Sequence, residues 1–597
     1  MRILFGEMAA DDSSFKSFKD LLRSRGGAPE ESAKKDRGWS LDTGGDAADV
    51  ESELESYPDP DATVRGIIES RPSAGGAMTT GPPCYRDSES EEVELLHSFR
   101  LRTRFLADVL DEVRAIPADP TEADFEGRLD LRAETIFTID GEDAKDFDDA
   151  IGIRRLEDGA LEVGVHIADV AHYVRPGTVL DAEALARGTS VYLPDQVIPM
   201  LPEKISNNLC SLVPDRDRLA HSVLMVFDEQ GERQSARVEK SVIRSVRRNT
   251  YRVVQDLLDG KATAEAQAIE HLREPLELFE RWTKKQQSIR DAKGSMRIQS
   301  TEKKFLFDEQ HEVKEIVNAP RYFSQALIEE TALAANQAVG DLFRERGLPT
   351  IYRVHPEKDP EEIERVAKLL EEHGVRVPKK DRLTGRDIGR MIRDARRRPN
   401  AEALIQRIMG LIERAVYEVK DHVDIAEHFG LARKAYLHFT SPIRRYPDLI
   451  VHRWLHAVET RGDEAAEELQ TEALLQDLND VAAHCSIQSE VAEMTEIAVK
   501  DLKVCQYMAP HVGEKLAAKI LRVSRGGMEV HLEDFNVTGF LPARAIGDRT
   551  HVKGSTITIT SGKRTLSFTE GYSIAVVIED VDFIRLQVLF GLAQGPA

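Results

Sequence analysis

The sequence predicts an α+β protein: a mixed sheet-and-helix core followed by a C-terminal five-stranded β-barrel. Three observations carry that expectation. Leu161, Val163, Val165 and Ile167 alternate with Glu162, Gly164 and His166, the period of a half-buried strand. The tracts 324–346, 359–430 and 464–508 are rich in residues that favour helix, the last with charges too mixed for a coiled coil. From Gly513, short apolar runs at 516–523, 528–532, 539–541, 572–580 and 585–591 are separated by glycine turns, the pattern of a small barrel.

In chain order, Phe15, Phe18, Leu21 and Leu22 fall at helical spacing ahead of Gly26-Gly27, which predicts an amphipathic helix within 1–24. From 27 to 92 the composition shifts to Gly, Ala, Ser, Pro and Asp. Too few apolar side chains remain to offset chain entropy, so disorder is expected there. A helix over 95–113, closed by Pro117 and Pro120, should lead into the core. The divisions are an N-terminal segment 1–92, a linker helix 93–120, a core 121–455, its helical extension 456–510 and a barrel domain 511–597.

A chain of 597 residues can hold three or four domains, each with its own core. Its net charge of −24 argues against nonspecific coating of nucleic acid, which needs a broad basic surface. A narrow basic channel remains open to it. Arg244, Arg247, Arg248 and Arg252 form one basic run; Arg433, Lys434, Arg444, Arg445 and Arg453 form another. Cys84, Cys210, Cys485 and Cys505 are scattered and make no CxxC pair, which suits a reducing compartment and argues against a disulfide framework or a zinc site. Residues 1–10 are too short for a signal peptide, and no apolar run approaches the ~20 residues of a membrane span. The expectation is a cytoplasmic protein.

The chemistry concentrates in Asp140-Gly-Glu-Asp-Ala-Lys-Asp146-Phe-Asp148-Asp149, between β-rich runs at 135–139 and 150–154. Its Asp-x5-Asp-x-Asp-Asp spacing crowds like charges, which raise one another's pKa unless a cation neutralises them. Oxygen ligands without His or Cys suit Mg²⁺ or Mn²⁺, ions that serve phosphate chemistry. The plain alternative is a solvated acidic turn. Interruption of an apolar strand pair favours the metal. A calcium loop is excluded, because Lys145 and Ile151 stand where its glycine and final glutamate would be.

A second segment lies far downstream: Ala435-Tyr-Leu-His438-Phe-Thr440-Ser441-Pro442-Ile443-Arg444-Arg445-Tyr446-Pro-Asp448-Leu-Ile-Val-His452-Arg453. Between the two come Val165-His166-Ile-Ala-Asp169-Val-Ala-His172-Tyr173-Val, Tyr192-Leu-Pro194, Met200-Leu-Pro-Glu-Lys-Ile-Ser206-Asn-Asn-Leu-Cys210-Ser-Leu, Ile328-Glu-Glu-Thr-Ala-Leu-Ala-Ala-Asn336 and Tyr352-Arg-Val-His355-Pro. This ordered set, from about Thr121 to the C-terminus, closely resembles the ribonuclease II/R family of exoribonucleases. The resemblance implies an RNB catalytic core followed by a C-terminal OB-fold that binds RNA. It implies 3′→5′ hydrolysis of single-stranded RNA, processively, to nucleoside 5′-monophosphates, by a monomer with Mg²⁺ as cofactor and Mn²⁺ as a substitute.

By the same resemblance, Asp140, Asp146 and Asp149 match the carboxylates that hold metal, and Asp148 the one most directly tied to cleavage. Arg444 matches the arginine on the scissile phosphate and Tyr192 the tyrosine that positions the terminal nucleotide. Arg445 and Glu496 fall beside the RNA, although Ile497 replaces a usual arginine. His166, His172, Tyr436 and His438 are expected to be structural supports. Three departures stand out: no cold-shock-like barrel precedes the core, Ile298 lies near a usual aromatic, and the strand after Gly526-Gly527 carries Met528, Val530 and His531 in place of stacking aromatics. Two other readings compete. A catalytically impaired RNA-binding regulator on the same core is opposed by the four aspartates and Arg444. A metal phosphatase or nuclease for small substrates is opposed by the long core, the barrel and the second signature.

Overall fold

The computed structural model describes residues 90–593 apart from 294–301, 357, 379–382, 399–400 and 421–434. The helix expected within 1–24 lies outside the described residues, as do Ile298, Arg433 and Lys434. The stretch expected to be disordered to 92 has given way to helix by Ser90, and Glu92 makes a buried ion pair with Lys503 at 2.9 Å. The single helix expected over 95–113 is two, Ser90–Ser98 and Ala107–Ala115, with Arg100 at φ 55° after the first. Tertiary contacts hold the break open. The Arg187 guanidinium sits 3.8 Å over the Phe105 ring and donates to the Arg104 carbonyl at 2.6 Å.

The core strands are β1 (Leu129–Asp130), β2 (Thr138–Asp140), β3 (Asp149–Arg155), β4 (Leu161–Ala168), β5 (Val191–Tyr192), β6 (Val197–Ile198), β7 (Asp217–Phe227), β8 (Arg233–Arg244) and β9 (Arg248–Thr250). One sheet runs β1-β8-β7-β4-β3, antiparallel except where β1 meets β8. β4, expected to be half buried, is buried on both faces from Val163 to Ala168. It lies inside the sheet, under the helix Phe323–Glu345, and the polar residue in its pattern, His166, is bonded through Nδ1 to Ser222 Oγ at 2.7 Å. Beside this sheet β2 pairs in parallel with β9 rather than with β3, so the acidic run connects strands of two different sheets. An isolated bridge, Phe137 to Ile151, ties them together.

A hairpin of β10 (Lys303–Phe307) and β11 (Val313–Asn318) precedes the helix Phe323–Glu345. Within 359–430, read as helical throughout, come the helices Pro360–Glu372, Gly385–Ala395 and Ala401–Met409, which share a core of their own, and then a strand. That strand, β13 (Val416–Lys420), pairs with β12 (Thr350–Val354); its Val416, Tyr417 and Val419 favour a pleated surface over a helix. The tract 464–508 breaks at Gln470-Thr471 into the helices Asp463–Leu469 and Glu472–Met508.

The C-terminal strands β14 (Lys515–Ser524), β15 (Gly527–Leu532), β16 (Val537–Pro542), β20 (Ser573–Asp582) and β21 (Gln587–Leu592) close a barrel in the order β14-β15-β16-β21-β20. This is the five-stranded barrel expected. A meander of β17 (Arg549–Lys553), β18 (Thr556–Ser561) and β19 (Arg564–Thr569), not expected, contributes Ile557 and Ile559 to its core. Met528 and Val530 are buried there, so they occupy core positions and replace no surface aromatic. The outward positions are Lys519, His531 and Thr538 in one cross-strand row, with Glu529 and Phe540 in the next. Phe305 and Ile316 of the hairpin, with Cys505 and Met508 of the long helix, are buried in the same core and fasten the barrel to the rest.

Candidate active site

The acidic run spans the gap from the end of β2 to the start of β3, and its path is fixed from within. Phe147 is buried, its N–H donates to Ser211 Oγ at 3.0 Å, and that hydroxyl donates to the Lys145 carbonyl at 2.8 Å. Arg248 donates to the carbonyls of Gly141 and Glu142 and lies over the Phe147 ring. With Phe147 anchored inward, Asp146 and Asp148 are carried on either side of it.

Asp148 is the meeting point of the two signatures. One of its oxygens accepts the Ile443 N–H at 2.8 Å, across 295 residues of sequence. The other is buried without a hydrogen-bond partner, 3.7 Å from Nε of Arg444. Asp148 is 5 % exposed and Arg444 42 %, so the arginine reaches from solvent over a buried carboxylate. The Arg444 carbonyl accepts from Ser190 N and Thr189 Oγ1, both at 3.0 Å, which ties the arginine loop to the strand that carries Tyr192. Tyr192 in turn donates its phenol proton to Asp146 Oδ2 at 2.9 Å, and its backbone N–H goes to Glu496 Oε1 at 3.0 Å.

Burial dominates the electrostatics. It pushes the Asp148 carboxyl well above the carboxylate range against the opposing pull of Arg444. Asp140 is raised to about 8 by burial and then by the charge of Asp149, and Asp149 is raised to about 6 by burial. The Tyr192 phenol is also raised by burial and stays protonated.

These groups suit a hard cation. Asp140 and Asp148 each point a buried, unpartnered oxygen into the site, and the donors are all carboxylates. Among the described residues no three His, Cys, Asp or Glu side chains close on a common point. A hard cation there would take one or two carboxylates directly and complete its shell with waters and substrate phosphate oxygens.

Thus Asp140, Asp146, Asp148, Asp149, Arg444, Tyr192 and Glu496 share one site. Arg445, expected to contact RNA, is turned away: Nε and Nη2 bind the fully buried Asp448 at 2.9 and 2.8 Å at the start of the helix Tyr446–Arg461. The pairing gives a counter-charge to a buried carboxylate that also accepts from Ser441 N–H at 2.8 Å. The expected supports are hydrogen-bonded: His172 to Asp124, His438 to Tyr417 and Tyr436 to Asn336. Sequence reasoning missed Tyr251, whose phenol burial pushes up and which lies within the field of Asp149 and Asp140, and missed the anchoring by Ser211 and Arg248. Ser211 lies within a quoted motif, without a role assigned to it, and Arg248 lies in a basic run; Tyr251 had no signal.

Residues 128–461 match the RNB domain family and residues 509–583 the S1 RNA binding domain. The chain is 36 % identical to ribonuclease R of Thermotoga maritima over 82 % of its own length and 68 % of that protein's. It is 36 % identical to ribonuclease R of Aquifex aeolicus, over 84 % and 70 % of the two chains. To ribonuclease R of Escherichia coli it is 34 % identical over 72 % of its length and 53 % of that protein's. Its fold is similar to that of Mycoplasma genitalium RNase R solved with ribose-methylated single-stranded RNA (TM-score 0.73, 23 % identity, 84 % and 77 % of the two chains). It is also similar to that of yeast Ssd1, described as a pseudonuclease (TM-score 0.59, 17 % identity, 80 % and 58 %).

Proposed function

Because this chain belongs to the ribonuclease R family of RNB-domain proteins, we propose that it degrades single-stranded RNA processively from a free 3′ end to nucleoside 5′-monophosphates, with Mg²⁺ and with Mn²⁺ as a substitute. The observation that carries this reading is the contact of Asp148 with Ile443 and Arg444, which joins the acidic run to the downstream signature in one pocket. Likeness of fold alone would not suffice, since the fold is shared with a pseudonuclease. The side chains support the enzyme reading: the four aspartates and Arg444 are all present and lie in one site.

Asp140, Asp146 and Asp149 would hold the cation, directly or through water, and when bound it would neutralise phosphate charge and lower the pKa of a water. The planar guanidinium fork of Arg444 can take two oxygens of the scissile phosphate. Asp148, fixed through one oxygen by Ile443 N–H, presents the other to the reacting region. Tyr192 holds Asp146 in place through its hydroxyl and offers its ring to the terminal nucleotide. Glu496 and Arg445 position, the first through the backbone of Tyr192 and the second through Asp448. We assign catalysis to the core 121–455 with its extension 456–510, RNA binding to the barrel 511–597, and no chemistry to the linker 93–120 or to 1–92. The protein acts in this reading as a cytoplasmic monomer.

The test is a time course on 5′-labelled single-stranded RNA with Mg²⁺. A short end product appearing beside uncut substrate, a slower reaction on a 3′-phosphorylated end and survival of circular RNA are expected. Binding without cleavage would point to the impaired regulator, and cutting of the circle to an endonuclease.

A further inference from the structure

His452, in the downstream signature, is fully buried on the helix Tyr446–Arg461, one turn beyond the equally buried Asp448. A spacing of four puts both side chains on one face of that helix. The face meets the backbone of the arginine segment at two points. Asp448 Oδ1 accepts the Ser441 N–H at 2.8 Å, and His452 Nε2 lies 2.7 Å from the Phe439 carbonyl oxygen. A carbonyl can only accept, so Nε2 carries the proton and donates. From the other side Asn336 Oδ1 takes the Phe439 N–H at 2.9 Å. Phe439 is thus held at both of its backbone groups and Ser441 at its N–H. Two residues further on, the Ile443 N–H reaches Asp148.

An imidazole is an unfavourable choice for a purely apolar packing role at this place. Burial, and then the neighbouring His221, hold it well below its ordinary pKa, so the ring is neutral. Its Nδ1 is left as a buried acceptor with no hydrogen-bond partner among the described residues. Leaving that atom dry costs free energy that a buried Leu or Phe would not. The bond to Phe439 offsets the cost, and packing fixes its aim. The ring stacks on Phe439, with centroids 4.2 Å apart and planes at 26°, and lies 4.6 Å from the ring of His221 on β7. His221 Nε2 is 3.3 Å from Asp169 Oδ1, and the preceding residue, Ala168, donates its N–H to the Asp148 carbonyl at 2.9 Å. The imidazole therefore links the arginine segment to the strand end on which Asp148 rests.

We propose that His452 is a positioning residue for cleavage: its bond to the Phe439 carbonyl sets the place of the Ile443 N–H and of Arg444 over Asp148. The proposal deepens the nuclease reading and rests on it.

The test uses the full chain with His452 replaced in turn by three residues. His452→Gln keeps an amide N–H near the place of Nε2. His452→Asn puts one near the place of Nδ1, too short to reach Phe439. His452→Phe keeps a stacked ring and loses the donor. Hydrogen exchange of the backbone amides at 440–444, read by mass spectrometry, follows the bond of Ile443 to Asp148 whether or not RNA is cut. The kcat and KM for single-stranded RNA with Mg²⁺ are measured beside it. His452→Phe and His452→Asn should speed exchange and lower kcat by a factor of about ten to a hundred, the size of leaving a buried carbonyl without its donor, with KM nearly unchanged. His452→Gln should stay within about threefold of the original in both. A ring kept for packing alone predicts the reverse order, with Phe near the original and Gln worst, and that order would overturn the proposal. So would equal exchange in all the variants. Where His452→Phe does not fold, Gln against Asn, which differ only in reach, decides in the same way. The expected exchange order in a protein that cuts no RNA would support the anchoring and overturn the nuclease reading alone.

Discussion

Asp148 is held by a backbone N–H on one oxygen and faces Arg444 Nε at 3.7 Å with the other, which has no hydrogen-bond partner, so its charge and not its shape is what the site uses. Asp148→Asn keeps the volume and can still accept from Ile443. Cleavage should fall by a factor on the order of 10² to 10³ or more, the scale for losing one preorganised electrostatic group. RNA affinity should hold or rise, since a negative charge beside a polyanion is gone; a single-turnover assay beside a binding titration separates the two. The neighbours predict a pH dependence. Asp140 at about 8 and Asp149 at about 6 carry folded pKa values above the ordinary carboxylate value of 3.8. Raised carboxyls stabilise the fold below that ordinary value and lose the contribution as pH rises through the folded values. Cation-free protein should therefore lose thermal stability between pH 6 and 8, while Mg²⁺ raises Tm more at pH 8 than at pH 6. Melting with EDTA or with Mg²⁺ at both pH values checks this, and an Mg²⁺ effect larger at pH 6 would sink it.

The arginine loop is braced by the helix Phe323–Glu345. In the helix Phe323–Glu345, Gly340 faces the backbone of Ala435, and a Cβ at that position would stand 2.0 Å from the Ala435 carbonyl oxygen. Ala435 itself sits at φ 54°, at the head of the segment that ends in Arg444. Asn336 on the same helix accepts from Phe439 N–H at 2.9 Å and donates to Tyr436 Oη at 3.0 Å. Gly340→Ala must push the segment off the helix. A loss of about 1–3 kcal/mol is expected, the cost of overpacking, together with a lower kcat and a nearly unchanged KM. A stable Gly340→Ala protein with full kcat would show that the helix does not set the loop.

At the scale of the molecule, barrel and core are joined through buried apolar side chains, among them Phe305, Ile316, Cys505 and Met508. Cutting the barrel away would expose them, so its contribution to RNA binding is better measured on the intact chain. The outward rows of β14, β15 and β16 offer Lys519, His531 and Phe540, and Tyr572 is exposed just ahead of β20. Lys519→Ala, His531→Ala and Phe540→Ala together should weaken long RNA more than an oligonucleotide that just fills the channel, because stacking is worth about 1–3 kcal/mol per base. With a net charge of −24 the salt dependence should be shallow, its log–log slope changing by about 0.7 for each phosphate that is no longer neutralised. A steep slope that disappears in the triple variant would make the barrel the main electrostatic anchor.

Periodicity and spacing by themselves determined that a strand runs through Leu161–Ala168 and that a small barrel follows the core, and the crowding of the aspartate run pointed to a cation; a role for the Arg444 segment came from resemblance alone. These are local facts: a period of two, glycine turns, crowded like charges. What is decided only in three dimensions is which partner each group finds. β2 pairs with β9 where both pack against the helix Tyr251–Leu258, and no pattern within 135–154 could say so. Arg445 reads as an RNA contact beside Arg444, yet one step along an extended backbone turns its side chain from the pocket to a buried Asp448. Met528 and Val530 read as replacements for stacking aromatics, yet the pleat of β15 points them inward and leaves Glu529 and His531 outside. Tyr251 joins the aspartates through the packing of its helix against β2 and β9, which brings together segments more than a hundred residues apart. Local sequence fixes the alternation of faces, but which face meets core and which meets solvent depends on everything packed against it.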